Sequence, residues 1–97
     1  MHARVVTLQV QPGKMDALNT IFQDEVVPAV RQVAGFKSLT LLEDRKTNKA
    51  MMFSVWESES AMKASEISGF FQAQLQKFSA IIVGQPQREA YEVGAQS

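Results

Sequence analysis

An α+β domain of the split β-α-β kind is predicted by three observations. Strand and helix patterns follow one another in the order strand, helix, strand, strand, helix, strand; a hairpin stands at the centre; and each helical stretch carries a single apolar stripe. With 97 residues and 45% hydrophobic content the chain makes one domain, residues 1–97 with a core over about 3–93, and a core that is adequate rather than generous.

The first strand is Ala3 to Gln11, with Arg4, Val6, Leu8 and Val10 on one face and Val5, Thr7, Gln9 and Gln11 on the other. Pro12-Gly13 ends it. From Lys14, the apolar residues Met15, Leu18, Ile21, Phe22, Val26, Ala29, Val30 and Val33 recur at three and four, which predicts an amphipathic helix to about Val33. Pro28 lacks an N–H and crowds the carbonyl four residues earlier, so a kink or break is expected near Asp24 to Val27. Gly35 supplies the stop.

The hairpin follows. Phe36 to Glu43 is a strand run, Asp44 to Lys49 a charged turn, and Ala50 to Trp56 a β-branched and aromatic strand. Ser58 offers an N-cap hydroxyl and Glu59 an acid for the free N–H groups of a first turn, so a helix is expected over Glu59 to Ile67. Ser68-Gly69 breaks it. Phe71, Leu75, Phe78 and Ile82 define a second helical run that Gly84 and Pro86 close, and Pro86 to Val93 reads as a polar edge strand before a loose tail. This is the ferredoxin-like arrangement: a four-stranded antiparallel sheet with helices on one face.

One feature goes beyond that plan. Met51, Phe53 and Val55 point to one side of the third strand and Met52 and Trp56 to the other, and Val5 and Val6 make the first strand two-sided as well. A sheet with one wet face alternates apolar with polar. The helix-free face is therefore expected to be covered, most simply by a second copy of the chain in a two-fold homodimer.

Ten basic and ten acidic side chains cancel and no stretch gathers lysine and arginine, which argues against nucleic acid as a partner. Zero cysteines exclude disulfides, thiolate nucleophiles and sulfur-built zinc sites, and a single histidine leaves no transition-metal ligand set. The alternating N-terminal strand reads as neither signal peptide nor spanning helix, so a cytoplasmic protein with no membrane partner is expected.

Candidates for chemistry are few. Trp56, the only tryptophan, either stacks on a flat ligand or packs the core or an interface. Arg4 either holds an anionic oxygen from within the apolar face or reaches solvent at the strand end. Ser38 is a strand hydroxyl able to orient a ligand, as are Ser54, Thr7, Thr40 and Tyr91. Met52 and Phe70, with Phe71, Phe78, Phe53, Met51 and Met62, form either pocket lining or plain core. His2 has no evident orienting partner and reads as solvated. No serine has a base beside it, which removes nucleophilic catalysis.

Gln11-Pro12-Gly13-Lys14, Ala34-Gly35-Phe36, Ser54-Val55-Trp56-Glu57-Ser58, Ala61-Met62 and Ser68-Gly69-Phe70-Phe71 together resemble the antibiotic biosynthesis monooxygenase type of domain, in the dimeric α+β barrel group, over Val5 to about Val93. The resemblance implies a homodimer and a small cavity between sheet and helices in each subunit. It also implies oxidation of a small planar quinol or aromatic by O₂ with no metal, flavin or other cofactor. Where many such relatives carry a glutamate and two histidines this chain has Ser54, Ser65 and Phe70. The haem-degrading branch looks for side chains that Val6, Ser65 and Leu75 do not provide. Two functions follow as expectations: a cofactor-independent monooxygenase, or a non-catalytic ligand-binding homodimer of the same fold.

Overall fold

The computed structural model describes residues 1–97. Strand β1 (His2–Val10) leads to helix α1 (Met15–Ile21), a π-helical turn (Phe22–Val26) and α2 (Val27–Val30). Then come β2 (Phe36–Asp44), β3 (Lys49–Trp56), α3 (Glu59–Ile67), α4 (Phe70–Gln76) and β4 (Ile82–Glu92). The sheet order is β2-β3-β1-β4 and every pairing is antiparallel. The expected four-stranded ferredoxin-like α+β fold is thus present, with β1 and β3 in the centre.

Local chemistry sets most boundaries where the sequence predicts them. Ser58 caps α3, its hydroxyl oxygen accepting from the Ala61 N–H at 3.1 Å. Ahead of Pro28 the helix loosens: the Val27 N–H reaches back five residues to the Phe22 carbonyl, a π turn where the kink was expected. The motif pieces Ala34-Gly35 and Ala61-Met62 also find a packing reason. Gly35 has φ +82°, and a Cβ there would stand 2.5 Å from the Ala61 Cβ. Helix α3 can therefore lie against this turn only with glycine at the crossing.

The C-terminal third departs from the expectation. Helix α4 stops at Gln76, not near Ile82, because the chain tightens into three-residue turns that drop Phe78 into the core (Phe78 N–H to Leu75 O, 3.1 Å; Ile81 N–H to Phe78 O, 3.0 Å). Strand β4 then begins at Ile82. Gly84 and Pro86 lie inside it: Thr7 pairs Gln87 and Gln9 pairs Val83, so Gly84 to Pro86 bulge opposite Leu8. A bulge tolerates both the glycine, at φ +73°, and a proline with no N–H to give to the ladder.

The helices cover one face of the sheet. Val6, Leu8 and Val10 of β1, Ala50 and Met52 of β3, Met15, Leu18, Phe22 and Val26 of the first helical stretch, and Phe71 and Phe78 form the larger core. Each fully buried side chain of this kind contributes roughly 1.5–3 kcal/mol. A smaller cluster of Val30, Trp56 and Met62 sits at the other end of β3, with Phe36, Leu39 and Phe70 against it. On the helix-free face Phe53, Leu42, Tyr91 and Val83 remain exposed.

Candidate functional site

The two clusters do not quite meet. At their seam lies a narrow cavity of about 40 Å³, walled by Val6, Val26, Val30, Met52, Trp56 and Phe71 and by the partly exposed Leu39, Phe70, Gln74 and Leu75. Arg4 and Ser54 complete the wall, and Arg4 is its one ionisable side chain. Three of the partly exposed residues belong to α4, so the cavity opens on that side.

Strand alternation places Arg4, 5% exposed, on the core face of β1, directly opposite Ser54. Of the two sequence readings for Arg4, burial holds and escape to solvent does not. Its Nη1 donates to Ser65 Oγ and to Glu66 Oε2, both at 3.2 Å. Its Cζ lies 3.8 Å from the Phe71 ring centre and 5.5 Å from that of Trp56. Burial is the main cause that lowers the Arg4 pKa; Glu66 raises it, and the nearby charge of Arg88 lowers it again. A guanidinium keeps its charge in such a setting, so the apolar cavity has a permanent cation in its wall.

Trp56 is fully buried, edge-on to Phe36 at 5.7 Å, and is at once a core residue and a cavity wall. Its indole N–H donates to Ser54 Oγ at 3.0 Å, so toward the cavity it presents an aromatic surface rather than a donor. Met52 and Phe70 also line the cavity. Ser38 does not. A bulge between Phe36 and Ser38 shifts the alternation of β2, pairing Ser38 with Val55 and turning it to the exposed, helix-free face. Without that extra residue Ser38 would stand beside Ser54.

His2 differs from expectation as well: it lies within β1, its side chain only 14% exposed, with Nε2 3.5 Å from Glu59. Sequence reasoning missed Glu66, Arg88 and Gln74. The available signal was Arg4 itself, since an arginine on an apolar strand face must find an acid. Ser54, Ser65 and Phe70, where the resemblance looks for a glutamate and two histidines, gather around Arg4. Ser54 and Ser65 bond to its carbonyl and guanidinium, and Phe70 shares its cavity. No three histidine, aspartate or glutamate side chains converge as a metal site would need.

A ferredoxin-like α+β domain with an apolar cavity between sheet and helices is the class of protein that this architecture defines. The family model for antibiotic biosynthesis monooxygenases matches residues 1–77, and the chain belongs to that family. Among solved structures, a monooxygenase of Streptomyces coelicolor in complex with the ligand nanaomycin D is similar at 25% identity and TM-score 0.80, over 99% of this chain and 90% of that one. SnoaB, a cofactor-independent oxygenase from Streptomyces nogalater, shares the fold at 14% identity and TM-score 0.79, over 98% of this chain and 94% of its own. An uncharacterized protein of Mycobacterium tuberculosis is 34% identical over 65 residues, 67% of this chain; the match spans only 28% of that relative's length. No helix is long and apolar enough to cross a membrane.

Proposed function

We propose that this protein is a cofactor-independent monooxygenase of the cytoplasm that oxidises a small planar quinol or phenol in the Arg4 cavity, working as a homodimer joined through its helix-free sheet face. The observation that carries the reading is the composition of the cavity wall: Arg4 is its one ionisable group, amid nine hydrophobic side chains. Such a wall has no carboxylate or imidazole to take a proton. A substrate hydroxyl must therefore lose its proton readily to water, and the resulting oxyanion is stabilised by Arg4 in a water-poor site.

An electron-rich phenolate can transfer an electron to O₂ and then couple with the resulting superoxide at a ring carbon. Collapse of that peroxide leaves one oxygen atom on the ring. The other departs as water with two hydrogens from the substrate, so a dihydroxynaphthalene becomes a hydroxynaphthoquinone and O₂ is fully consumed. Trp56 and Phe71 hold the ring flat, and Ser54 fixes the indole. At about 40 Å³ the cavity has room for only about three waters. Substrate entry therefore requires Phe70, Gln74 and Leu75 of α4 to swing outward.

Oxygen uptake with a 1,4-dihydroxynaphthalene tests the reading. Saturable consumption above autoxidation is expected, with formation of the hydroxyquinone, falling at least about tenfold in Arg4→Met, which loses the oxyanion partner. Glu66 keeps Arg88 in that variant, so the fold should survive. Trp56→Phe should retain uptake with a raised KM. No uptake with several quinols that nevertheless bind saturably would favour the second reading, a non-catalytic ligand-binding homodimer, which the absence of a base in the cavity wall also supports.

A further inference from the structure

The Arg4 ion pair has a third member. Glu66 accepts from Arg4 through Oε2 at 3.2 Å, while its Oε1 lies 2.7 Å from Nη1 of Arg88 on β4. Two guanidiniums share one carboxylate. They also share an aromatic ring, since the Phe71 ring centre lies 3.8 Å from Arg4 Cζ and 5.4 Å from Arg88 Cζ. Beside them is a second cleft of about 190 Å³, most of whose lining residues are charged: Arg4, Lys63, Glu66, Arg88 and Glu89, with Met62 and Ala90. Arg4 thus stands in the partition between that cleft and the apolar cavity.

The charges that face this partition are Arg4 from β1, Lys63 and Glu66 from α3, and Arg88 and Glu89 from β4. Within the bonded Arg4–Glu66–Arg88 set two guanidiniums face one carboxylate, which leaves one positive charge. Lys63 is 3.6 Å from Glu59 and Glu89 accepts from the Tyr91 hydroxyl, so neither is bonded to that set. In a plain Arg4–Glu66 pair, a ligand that took Arg4 would strand a carboxylate that is only 21% exposed, which is costly. Arg88 removes that obstacle by keeping Glu66 neutralised.

We propose that Arg88 is a specificity-determining residue that reserves Arg4 for a monoanionic aromatic ligand. When a phenolate or aromatic carboxylate enters, Arg4 exchanges its bond to Glu66 for one to the ligand oxygen while Glu66 stays on Arg88. The relief of repulsion between two guanidiniums adds to the preference. This rests on the reading that the cavity takes a planar aromatic, but not on that aromatic being oxidised.

The test uses 4-nitrophenol, which ionises near neutrality and changes colour when it does, and nitrobenzene as its neutral counterpart, with affinities read by calorimetry on the whole chain. Wild type is expected to bind 4-nitrophenolate about tenfold more tightly than nitrobenzene and to lower the apparent pKa of the bound phenol. Arg88→Gln should lose most of that preference with little change for nitrobenzene, and Arg88→Lys, which keeps the charge, should restore most of it. A purely structural role would lower thermal stability in Arg88→Gln and leave the ratio of the two affinities unchanged. That result would overturn the proposal, as would equal affinity for the two probes in wild type or no saturable binding of either. Neither probe is a quinol, so failure of oxygen uptake would leave the outcome standing.

Discussion

Both faces of the central strands β1 and β3 carry apolar side chains, and the two faces reach opposite ends. On the helix side Val6, Leu8, Val10, Ala50, Met52 and Trp56 are all buried, and the one charge among them, Arg4, is held by Ser65 and Glu66 through Nη1. On the other side Ala3, Val5 and Val55 are buried, yet Phe53, directly opposite Val5, is 38% exposed and Leu42 of the neighbouring β2 is 52% exposed. One face is completed within the chain; the other presents apolar surface that a lone subunit leaves in water. Apolar composition on both sides of a strand therefore does not tell which side the chain itself covers.

The largest difference between the faces should come from deleting one aromatic on each. Trp56→Ala removes a fully buried indole and should cost about 3–5 kcal/mol in chemical denaturation. Phe53→Ala, half-exposed within the subunit, should lower the stability of the isolated subunit by under about 1 kcal/mol. Equal costs would erase the contrast. The next effect is at the crossing that seats the helices. Gly35→Ala places a Cβ against Ala61 at a positive φ and should cost roughly 2–4 kcal/mol, and a companion Ala61→Gly should recover part of it in a double-mutant cycle.

Charge on the open face should act on association alone. Phe53→Asp is expected to weaken self-association at least about thirtyfold in sedimentation, with a circular dichroism spectrum unchanged from wild type. Loss of the N-cap in Ser58→Ala should cost about 1 kcal/mol, since one bond to the Ala61 N–H disappears. The smallest effect belongs to the exposed bridge from Arg45 to Asp16, where Arg45→Ala should leave the chemical-denaturation midpoint indistinguishable from wild type.

Features governed by neighbours in sequence were the legible ones. The α3 start could be read from Ser58 and Glu59 because a cap is local, and the break at Pro28 because the missing N–H is the residue's own property. Gly84 and Pro86 misled for the opposite reason: a bulge is defined by its partner, Leu8, on a strand at the far end of the chain. Ser38 was misplaced by one residue of register, enough to move it to the other face. At the site, Trp56, Met52 and Phe70 were legible as pocket-or-core aromatics and methionine. The bonded state of Arg4 was not, because Glu66 and Arg88 meet it only through the packing of α3 and the pairing of β4.

The contrast between the faces is tested most directly by sedimentation velocity of the wild-type chain at micromolar concentration. A single species at twice the subunit mass of 10.8 kDa is predicted, shifting to the subunit mass in Phe53→Asp. A wild-type monomer at that concentration would contradict the claim that the helix-free face is completed by a second copy.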